Sequence, residues 1–258
     1  MVKLSKYQAV LFDLDGVLTP TADIHMQAWS AMFTEVFSAR NSSEVPLAPY
    51  TEDDYFRYLD GKPRYAGVAS LMKSRNITLP WGEADDPATS FSVCGLGNRK
   101  NQLFIALLNQ HPLLPYPGSQ KFLDAVQDAG LKVAVVSSSK NARDVLRSAG
   151  ILDRFSTIID GNAVEKGHLH GKPSPDMFLA AAKELAVEPH RAMVLEDAMV
   201  GVAAGSAGDF GLVIGVNRGD AEQAKRLAAA GADLVVDDLA ELLEDSGAAV
   251  TDHGNTVS

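Results

Sequence analysis

Short apolar runs rich in Val, Ile and Leu recur along most of the chain, each bounded by Gly, Asp or Ser. Such runs are typical of strands buried on both faces of a parallel sheet. Helical patterns lie between several of them, at residues 120–129, 142–149, 176–185 and 221–230. This alternation predicts an α/β fold with a doubly wound, mostly parallel sheet and right-handed crossovers. The predicted strands are residues 9–14, 131–136, 156–159, 192–195, 212–216 and 234–236.

Residues 21–112 break this alternation, because they contain no clear buried strand. Their apolar positions instead predict helices at 24–37, 55–59, 65–75 and 99–109, with loops at 38–49 and 78–97. We therefore expect a helical cap domain at 20–113, inserted into a core domain formed by 1–19 and 114–258. The small, polar tail at 246–258 is expected to be disordered.

Composition and charge narrow the classes of function. Of 258 residues, 46% are hydrophobic and 22% charged, which is ordinary for a globular protein. The net charge of −10 disfavours binding to a nucleic acid, and no apolar run approaches the roughly 20 residues of a membrane helix. The single cysteine, Cys94, excludes an internal disulfide. We expect a cytoplasmic, monomeric protein that acts on a small molecule.

The strongest chemical signal is an acidic pair, Asp13 and Asp15, followed by Gly16 at the end of the first predicted strand. Both carboxylates should lie at the carboxyl edge of the sheet, where open α/β sheets bind ligands. Carboxylates that only cap a turn are the alternative interpretation.

Three later segments favour phosphate chemistry over that alternative. Ser137 to Asn141 follow a strand and open a helix, although Ser is also a common helix N-cap. Lys172 lies in a loop framed by two prolines, although most loop lysines are solvated. A second acidic pair, Glu196 and Asp197, ends another strand. Two such pairs on neighbouring strands would repel one another without a cation, and oxygen ligands favour Mg²⁺.

The order and spacing of these four segments resemble the haloacid dehalogenase-like phosphotransferases along the whole chain. The resemblance implies that Asp13 is the nucleophile and that Asp15 is the general acid and base. It implies that Ser137 and Lys172 hold the transferring phosphoryl group. The implied Mg²⁺ ligands are Asp13, Asp15, Glu196 and Asp197.

The inserted helices resemble the cap of the β-phosphoglucomutase branch. There, His25 would contact Asp15 and link cap closure to proton transfer, while Trp29 is either core or substrate contact. Pro20 departs from relatives that commonly have Asp at this place, which puts the hydrogen bonding of the hinge in question. The remaining substrate-binding residues implied by the resemblance are Gly61, Lys62, Arg64, Lys100, Ser138, Ser139, Lys140 and Asn141.

The resemblance implies a Mg²⁺-dependent enzyme that interconverts β-glucose 1-phosphate and glucose 6-phosphate through an aspartyl phosphate and β-glucose 1,6-bisphosphate. Two alternatives stay open at this point. A sugar-phosphate phosphatase uses the same core but admits water, and a non-catalytic module would only bind phosphosugars.

Overall fold

The computed structural model describes residues 2–40, 48–110, 113–166 and 169–243. The tail at 246–258, for which we expected disorder, lies outside these residues. A six-stranded, fully parallel sheet forms the centre, with strand order β3-β2-β1-β4-β5-β6. Its strands are β1 (Ala9–Phe12), β2 (Lys132–Val136), β3 (Thr157–Ile159), β4 (Ala192–Glu196), β5 (Leu212–Val216) and β6 (Leu234–Val236).

Helices cover both faces of this sheet, so the predicted doubly wound α/β fold is confirmed. Short 3₁₀ turns occur at Leu4–Lys6, Leu152–Arg154, Pro189–Arg191 and Leu239–Leu242. The α-helices are α1 (Thr21–Arg40), α2 (Glu52–Asp54), α3 (Arg64–Ser74), α4 (Val93–Leu108), α5 (Pro117–Asp128), α6 (Ala142–Ser148), α7 (Gly161–Glu165), α8 (Asp176–Glu184), α9 (Met199–Ala207) and α10 (Ala221–Ala229). Among these described helices, none has the length and hydropathy needed to cross a membrane.

The strands alternate between two apolar clusters even though both of their faces are buried. In β1, Val10 and Phe12 belong to one cluster, and Ala9 and Leu11 to the other. Side chains along a strand point alternately to opposite faces, so residue 13 should continue the face of residues 9 and 11. Helix α8 packs on that face through Met177 and Phe178, among others. The loop before α8 is thereby brought to the end of β1.

Residues between β1 and α5 build a third apolar cluster of their own, centred on aromatic and aliphatic side chains of α1, α3 and α4. Trp29 and Phe33 stack there with ring centroids 5.6 Å apart. Ala28 of α1 and Phe104 of α4 instead join a sheet-face cluster. These helices therefore pack against the core as well as against each other. The division of the chain at residues 19/20 and 113/114 stays a prediction.

Both predicted loops of the inserted region are wrong in part. Residues 38–40, assigned to the first loop, end α1. Residues 93–97, assigned to a loop, form the first turns of α4. Ser92 caps this helix, because its hydroxyl accepts a hydrogen bond from the Gly95 N–H at 3.0 Å. Gly95 and Gly97 weaken the helical pattern in the sequence. Their lack of side chains is required, since a Cβ at Gly95 would lie 2.4 Å from the carbonyl oxygen of Ser90.

Candidate active site

The site begins where β1 and β4 end side by side, next to the point where the strand order reverses. Strands β2 and β3 lie on one side of β1, and strands β4, β5 and β6 lie on the other side. Such a switch point leaves a crevice at the carboxyl ends of the strands. The Asp13 N–H donates to the Leu195 carbonyl at 2.9 Å, which fixes the first acidic residue beside β4.

Lys172 joins the two acidic strand ends. Its Nζ donates to Asp13 Oδ1 and to Glu196 Oε1, each at 2.5 Å, and to the Val136 carbonyl at 3.0 Å. The lysine side chain is 1% exposed, and the Phe178 ring lies 5.0 Å from its nitrogen. The second Glu196 oxygen accepts the Ala198 N–H at 2.8 Å.

The charges in this cluster do not balance. Burial raises the pKa of Asp13 well above its usual range, and the charges of Glu196 and Asp15 add to this while Lys172 opposes it. Burial likewise raises the pKa of Asp197, helped by the neighbouring Glu196 and Asp60. For Lys172 burial opposes the charge, but Asp13 and Glu196 raise its pKa, so it is an ammonium. One lysine thus faces several carboxylates.

Asp15 lies in the turn that follows β1. Gly16 has a φ of +88°, a conformation that suits glycine, and its N–H donates to the Thr19 carbonyl at 2.8 Å. The hydroxyl of Thr21 donates to Asp15 Oδ1, and that of Ser137 to Oδ2 at 3.3 Å. The turn is therefore hydrogen-bonded through both its backbone and the Asp15 side chain, although Pro20 directly precedes α1.

Residues that follow β5 and β6 also hold this turn in place. Arg218 Nε donates to the Gly16 carbonyl at 2.6 Å, and its guanidinium lies 3.8 Å from the Tyr116 ring centroid. One further Arg218 nitrogen donates to the Asp237 carbonyl at 3.2 Å. The loop after β5 and the end of β6 thus hold the backbone next to the acidic pair.

His25 of α1 connects Asp15 to Lys100 of α4. The Lys100 ammonium contacts His25 Nδ1, and an ammonium can only donate, so this nitrogen is the acceptor. When Lys100 is protonated, the proton of a neutral ring is on Nε2, which lies 3.4 Å from Asp15 Oδ1 and has no closer partner among the described residues. Phe104 stacks on the His25 ring with centroids 4.0 Å apart.

The three groups of this chain have shifted pKa values. Burial and the Lys100 charge lower the pKa of His25, which agrees with a neutral ring. Burial lowers the pKa of Lys100 to about 7, and the Arg64 charge adds to this while Asp15 opposes it. Burial works against the charge of Asp15, but His25 and Thr21 bring the pKa of Asp15 down to about 2. Asp15 is therefore ionised at neutral pH.

The loop before α3 supplies the opposite wall of the site. Gly61 has a φ of +67°, and a Cβ there would lie 2.4 Å from Val200 and 3.0 Å from the Ala198 Cβ. Lys62 Nζ donates to the Ser70 hydroxyl at 3.1 Å. Arg64 carries a buried Nε with no hydrogen-bond partner among the described residues. An unpaired guanidinium nitrogen beside a cavity is suited to an anionic ligand.

The loop after β2 meets this wall. The Ser138 hydroxyl donates to the Gly61 carbonyl at 2.8 Å, and the Asn141 amide donates to Asn101 Oδ1 at 2.6 Å. The Lys140 Nζ lies 4.5 Å from the Tyr65 ring centroid. Helical and sheet-bearing parts of the chain are thus in direct contact beside the crevice.

All but two of the predicted site residues line one cavity. The exceptions are Ser137 and Lys172, which lie behind it and reach Asp15 and Asp13. Trp29 is 4% exposed, so it is both a core residue and part of the cavity wall. The predicted residues that line the cavity are Asp13, Asp15, His25, Trp29, Gly61, Lys62, Arg64, Lys100, Ser138, Ser139, Lys140, Asn141, Glu196 and Asp197.

Sequence reasoning missed several residues of the cavity wall. Two of them, Tyr55 and Asp60, have ionisable side chains. The Tyr55 hydroxyl lies close enough to the Asp60 carboxylate for the two groups to affect each other's pKa. Burial and the Glu196 charge raise the pKa of Asp60 to about 7. Their signal was weak: Asp60 directly precedes Gly61, but its distance from Tyr55 fits no helical period. The other missed wall residues are Ala22, Leu59, Asn101 and Ala198.

The donor set fits a hard cation. Among the described residues no three acidic, histidine or cysteine side chains form a metal cluster by themselves. Mg²⁺, however, also takes backbone carbonyls and water, and binds through one or two carboxylates. A Cβ at Gly16 would lie 1.8 Å from Asp197 Oδ2, so glycine lets this carboxylate approach the backbone of the acidic turn. The excess of carboxylates described above would be relieved by a divalent ion.

Comparison with known proteins agrees with this geometry. A family model for haloacid dehalogenase-like hydrolases matches residues 7–209. The chain is 51% identical over 244 residues to a β-phosphoglucomutase of Mycobacterium tuberculosis, with 92% of each chain covered. It is 30% identical over 220 residues to a phosphorylated carbohydrates phosphatase of Thermotoga maritima, covering 83% of this chain and 89% of that protein.

A solved structure shows the same architecture. The crystal structure of a β-phosphoglucomutase from Clostridium difficile superposes with a TM-score of 0.72 at 28% identity, covering 92% of this chain and 93% of that one. The extent of these matches excludes the non-catalytic module and makes the chain an enzyme of the phosphotransferase kind. It belongs to the haloacid dehalogenase-like hydrolase family, in the branch of the β-phosphoglucomutases.

Proposed function

We propose that this enzyme interconverts β-glucose 1-phosphate and glucose 6-phosphate through a phosphorylated Asp13 and β-glucose 1,6-bisphosphate. The observation that carries the proposal is a single cavity whose two ends are lined by different charged residues. One end has the Asp13 carboxylate against Lys172, and the other has Arg64 with an unpaired Nε and Lys100 nearby. A sugar with two phosphates fits such a cavity, because each end can hold one of them.

In the proposed cycle, phospho-Asp13 transfers its phosphoryl group to the 6-hydroxyl of β-glucose 1-phosphate. Asp15, ionised and held by Thr21 and His25, accepts the proton of that hydroxyl. The bisphosphate then turns within the site, and its C1 phosphoryl group passes to Asp13 while Asp15 returns the proton to the C1 oxygen. Glucose 6-phosphate leaves, and phospho-Asp13 is formed again.

Lys172 keeps the nucleophile aligned and offsets negative charge on the transferring group. Mg²⁺ is the proposed cofactor, held by Asp13, Asp15, Glu196 and Asp197, and it would neutralise charge on the phosphoryl oxygens. Water must be kept from phospho-Asp13, and contacts across the crevice support this exclusion. Ser138 bonds Gly61, and Asn141 bonds Asn101.

The test follows two products in one reaction. The protein is incubated with Mg²⁺, β-glucose 1-phosphate and a trace of glucose 1,6-bisphosphate, and glucose 6-phosphate and free phosphate are measured together. We expect rapid formation of glucose 6-phosphate with little phosphate release. Asp13→Asn should lower the rate at least about a thousandfold, as expected for loss of a nucleophile.

Asp144→Asn serves as the matched control, because the Asp144 side chain is 67% exposed on α6 and should leave the rate unchanged. Steady phosphate release without glucose 6-phosphate would contradict the proposal and favour a sugar-phosphate phosphatase. That is the second candidate, and the similarity to the Thermotoga maritima phosphatase favours keeping it.

A further inference from the structure

A π-helical turn, Tyr55–Leu59, connects α2 to the loop of Gly61. The Asp60 N–H donates to the Tyr55 carbonyl at 2.9 Å, five residues back along the chain. This wider turn brings residue 60 over residue 55, so the Tyr55 hydroxyl lies near the Asp60 carboxylate, and both side chains line the cavity. Single π turns of this kind occur often at functional sites.

The loop that carries Asp60 is fixed against the core. Gly61 packs on Val200 and Ala198 at a distance that no side chain would permit, and its carbonyl accepts the Ser138 hydroxyl. Tyr55 is only 5% exposed, so its neighbours restrict the rotation of its side chain. The Asp60 carboxylate is therefore held in the wall of the same cavity as Asp13 and Asp197.

Asp60 differs in charge from the other polar groups on its side of the cavity. The helical segment also contributes His25, Lys62, Arg64 and Lys100 to the wall, all of them nitrogen groups. Among the described residues of this segment, Asp60 is the one carboxylate in the wall. A carboxylate oxygen accepts hydrogen bonds from hydroxyl groups, which none of the nitrogen groups beside it does when protonated.

The remaining carboxylates of the wall already have a place in the proposed chemistry. Asp13 and Asp15 act on the phosphoryl group and the proton, and Glu196 and Asp197 are proposed metal ligands. A hexose held between the two phosphate ends presents secondary hydroxyls to the middle of the cavity. These hydroxyls need acceptors, because a buried polar group without a partner costs free energy.

We propose that Asp60, oriented by Tyr55, determines specificity by accepting a hydrogen bond from a secondary ring hydroxyl of the sugar phosphate. This inference deepens the proposed function and rests on it. It assigns the carboxylate a role in selecting a polyhydroxylated ring, while Asp13 and Asp15 carry out the transfer.

The test pairs variants with deoxy substrates. Asp60→Ala, Asp60→Asn and Tyr55→Phe are assayed for kcat/KM on β-glucose 1-phosphate and on its 2-, 3- and 4-deoxy analogues. For the wild type, kcat/KM should be about tenfold or more lower on one analogue than on the parent sugar. A site that binds a hydroxyl by a hydrogen bond discriminates against a substrate that lacks it. Asp60→Ala should lower kcat/KM on the parent sugar by a similar factor relative to the wild type. On that analogue, Asp60→Ala and the wild type should have the same kcat/KM. Asp60→Asn, which keeps one acceptor oxygen, should lose less.

Asp53→Asn is the matched control, since Asp53 lies in the same cap segment, is 60% exposed and pairs with Arg57. It should leave the ratio of kcat/KM between the parent sugar and each deoxy analogue unchanged. If Asp60→Ala lowers kcat/KM by one factor for all four sugars, or not at all, the inference is wrong. Melting temperatures identify a variant that fails to fold, in which case Asp60→Asn and Tyr55→Phe decide the question.

Failure of the proposed function has a different signature. A wild-type enzyme that converts none of these hexose phosphates overturns the proposed reaction and the assignment of Asp60 together. A wild type that converts the parent sugar but shows no coupling between Asp60 and any hydroxyl overturns the assignment alone.

Discussion

The two walls of the cavity carry opposite charge and are built differently. The sheet-bearing wall presents acids at the ends of adjacent strands, with Lys172 between Asp13 and Glu196. The helical wall presents Lys62, Arg64 and Lys100 on helices and their loops, and its apolar support is a separate cluster. The contrast supports the proposed division of work, in which the sheet edge would perform phosphoryl transfer and the helices would hold the substrate.

Removing one acid from the sheet-bearing wall should have the largest effect. Asp197→Asn should lower activity by about a hundredfold to a thousandfold. In the absence of Mg²⁺ it should also raise the melting temperature, because burial and Glu196 disfavour the Asp197 charge in the folded protein. Each 1 kcal/mol gained corresponds to about 2–4 °C in a protein of this size.

The stability of the wild type without Mg²⁺ should fall as pH rises. The pKa of Asp197 is raised on folding, so the wild type loses stability as pH rises above the unfolded value of about 4. The gain from Asp197→Asn should therefore be larger at pH 8 than at pH 4. Thermal melts with and without Mg²⁺ check this, with the exposed Asp153→Asn as control. A variant that Mg²⁺ stabilises as strongly as the wild type contradicts the metal assignment.

On the helical wall, Arg64→Lys should act on binding more than on the chemical step. Lysine keeps the charge but loses the planar fork that binds two phosphate oxygens. We expect KM for β-glucose 1-phosphate to rise about tenfold to a hundredfold with a much smaller change in kcat. Steady-state kinetics measures both, and Arg57→Lys, at a site 65% exposed, is the control. A fall confined to kcat would break the division of work between the walls.

Lys100 should make sugar-phosphate binding depend on pH. Burial lowers its pKa to about 7, so its charge is present below that pH and is lost above it. Binding of glucose 6-phosphate to the Asp13→Asn protein should weaken several-fold, by at most about tenfold per unit, from pH 7 to 9. Calorimetric titration should show a flatter profile after Lys100→Met, whereas exposed Lys73→Met should keep the wild-type profile. Equal slopes in all three proteins would contradict this role.

The smallest effect is expected where the walls meet. Ser138→Ala removes the hydrogen bond to the Gly61 carbonyl, worth about 0.5–1.5 kcal/mol. Weaker closure should admit more water to phospho-Asp13, so the ratio of free phosphate to glucose 6-phosphate should rise about two- to tenfold. The two-product assay measures that ratio. A fall in both products at a constant ratio would assign Ser138 to catalysis instead of closure.

The sheet-bearing wall was the more predictable of the two. Its strands are short apolar runs with clear ends, and the observed bounds differ from the predicted ones by at most two residues. Because parallel strands share one carboxyl edge, the sequence alone predicts that Asp13 and Glu196 lie near each other. The Lys172 contacts could not be derived from pattern alone, since they depend on the packing of the loop before α8.

The helical wall was predicted less completely because its backbone departs from regular periods. The family resemblance indicated Arg64 and Lys100. Tyr55 and Asp60 are five residues apart and meet through a π-helical turn, so an α-helical spacing of three or four residues does not pair them. The first turns of α4 were missed because two glycines interrupt the pattern there. Trp29 shows a different limit, since one side chain both fills the apolar cluster and lines the cavity.

The bracing of the acidic turn has a consequence for modularity. Gly16 is bonded to Thr19 and Arg218, Asp13 to Leu195 and Lys172, and all of these partners belong to the sheet-bearing part of the chain. The proposed nucleophile is therefore held by the sheet-bearing part of the chain, whereas Thr21 and His25 of α1 contact its neighbour Asp15. One scaffold of this kind can be combined with different helical insertions, each selecting another phosphorylated molecule, while the reacting carboxylate stays in place.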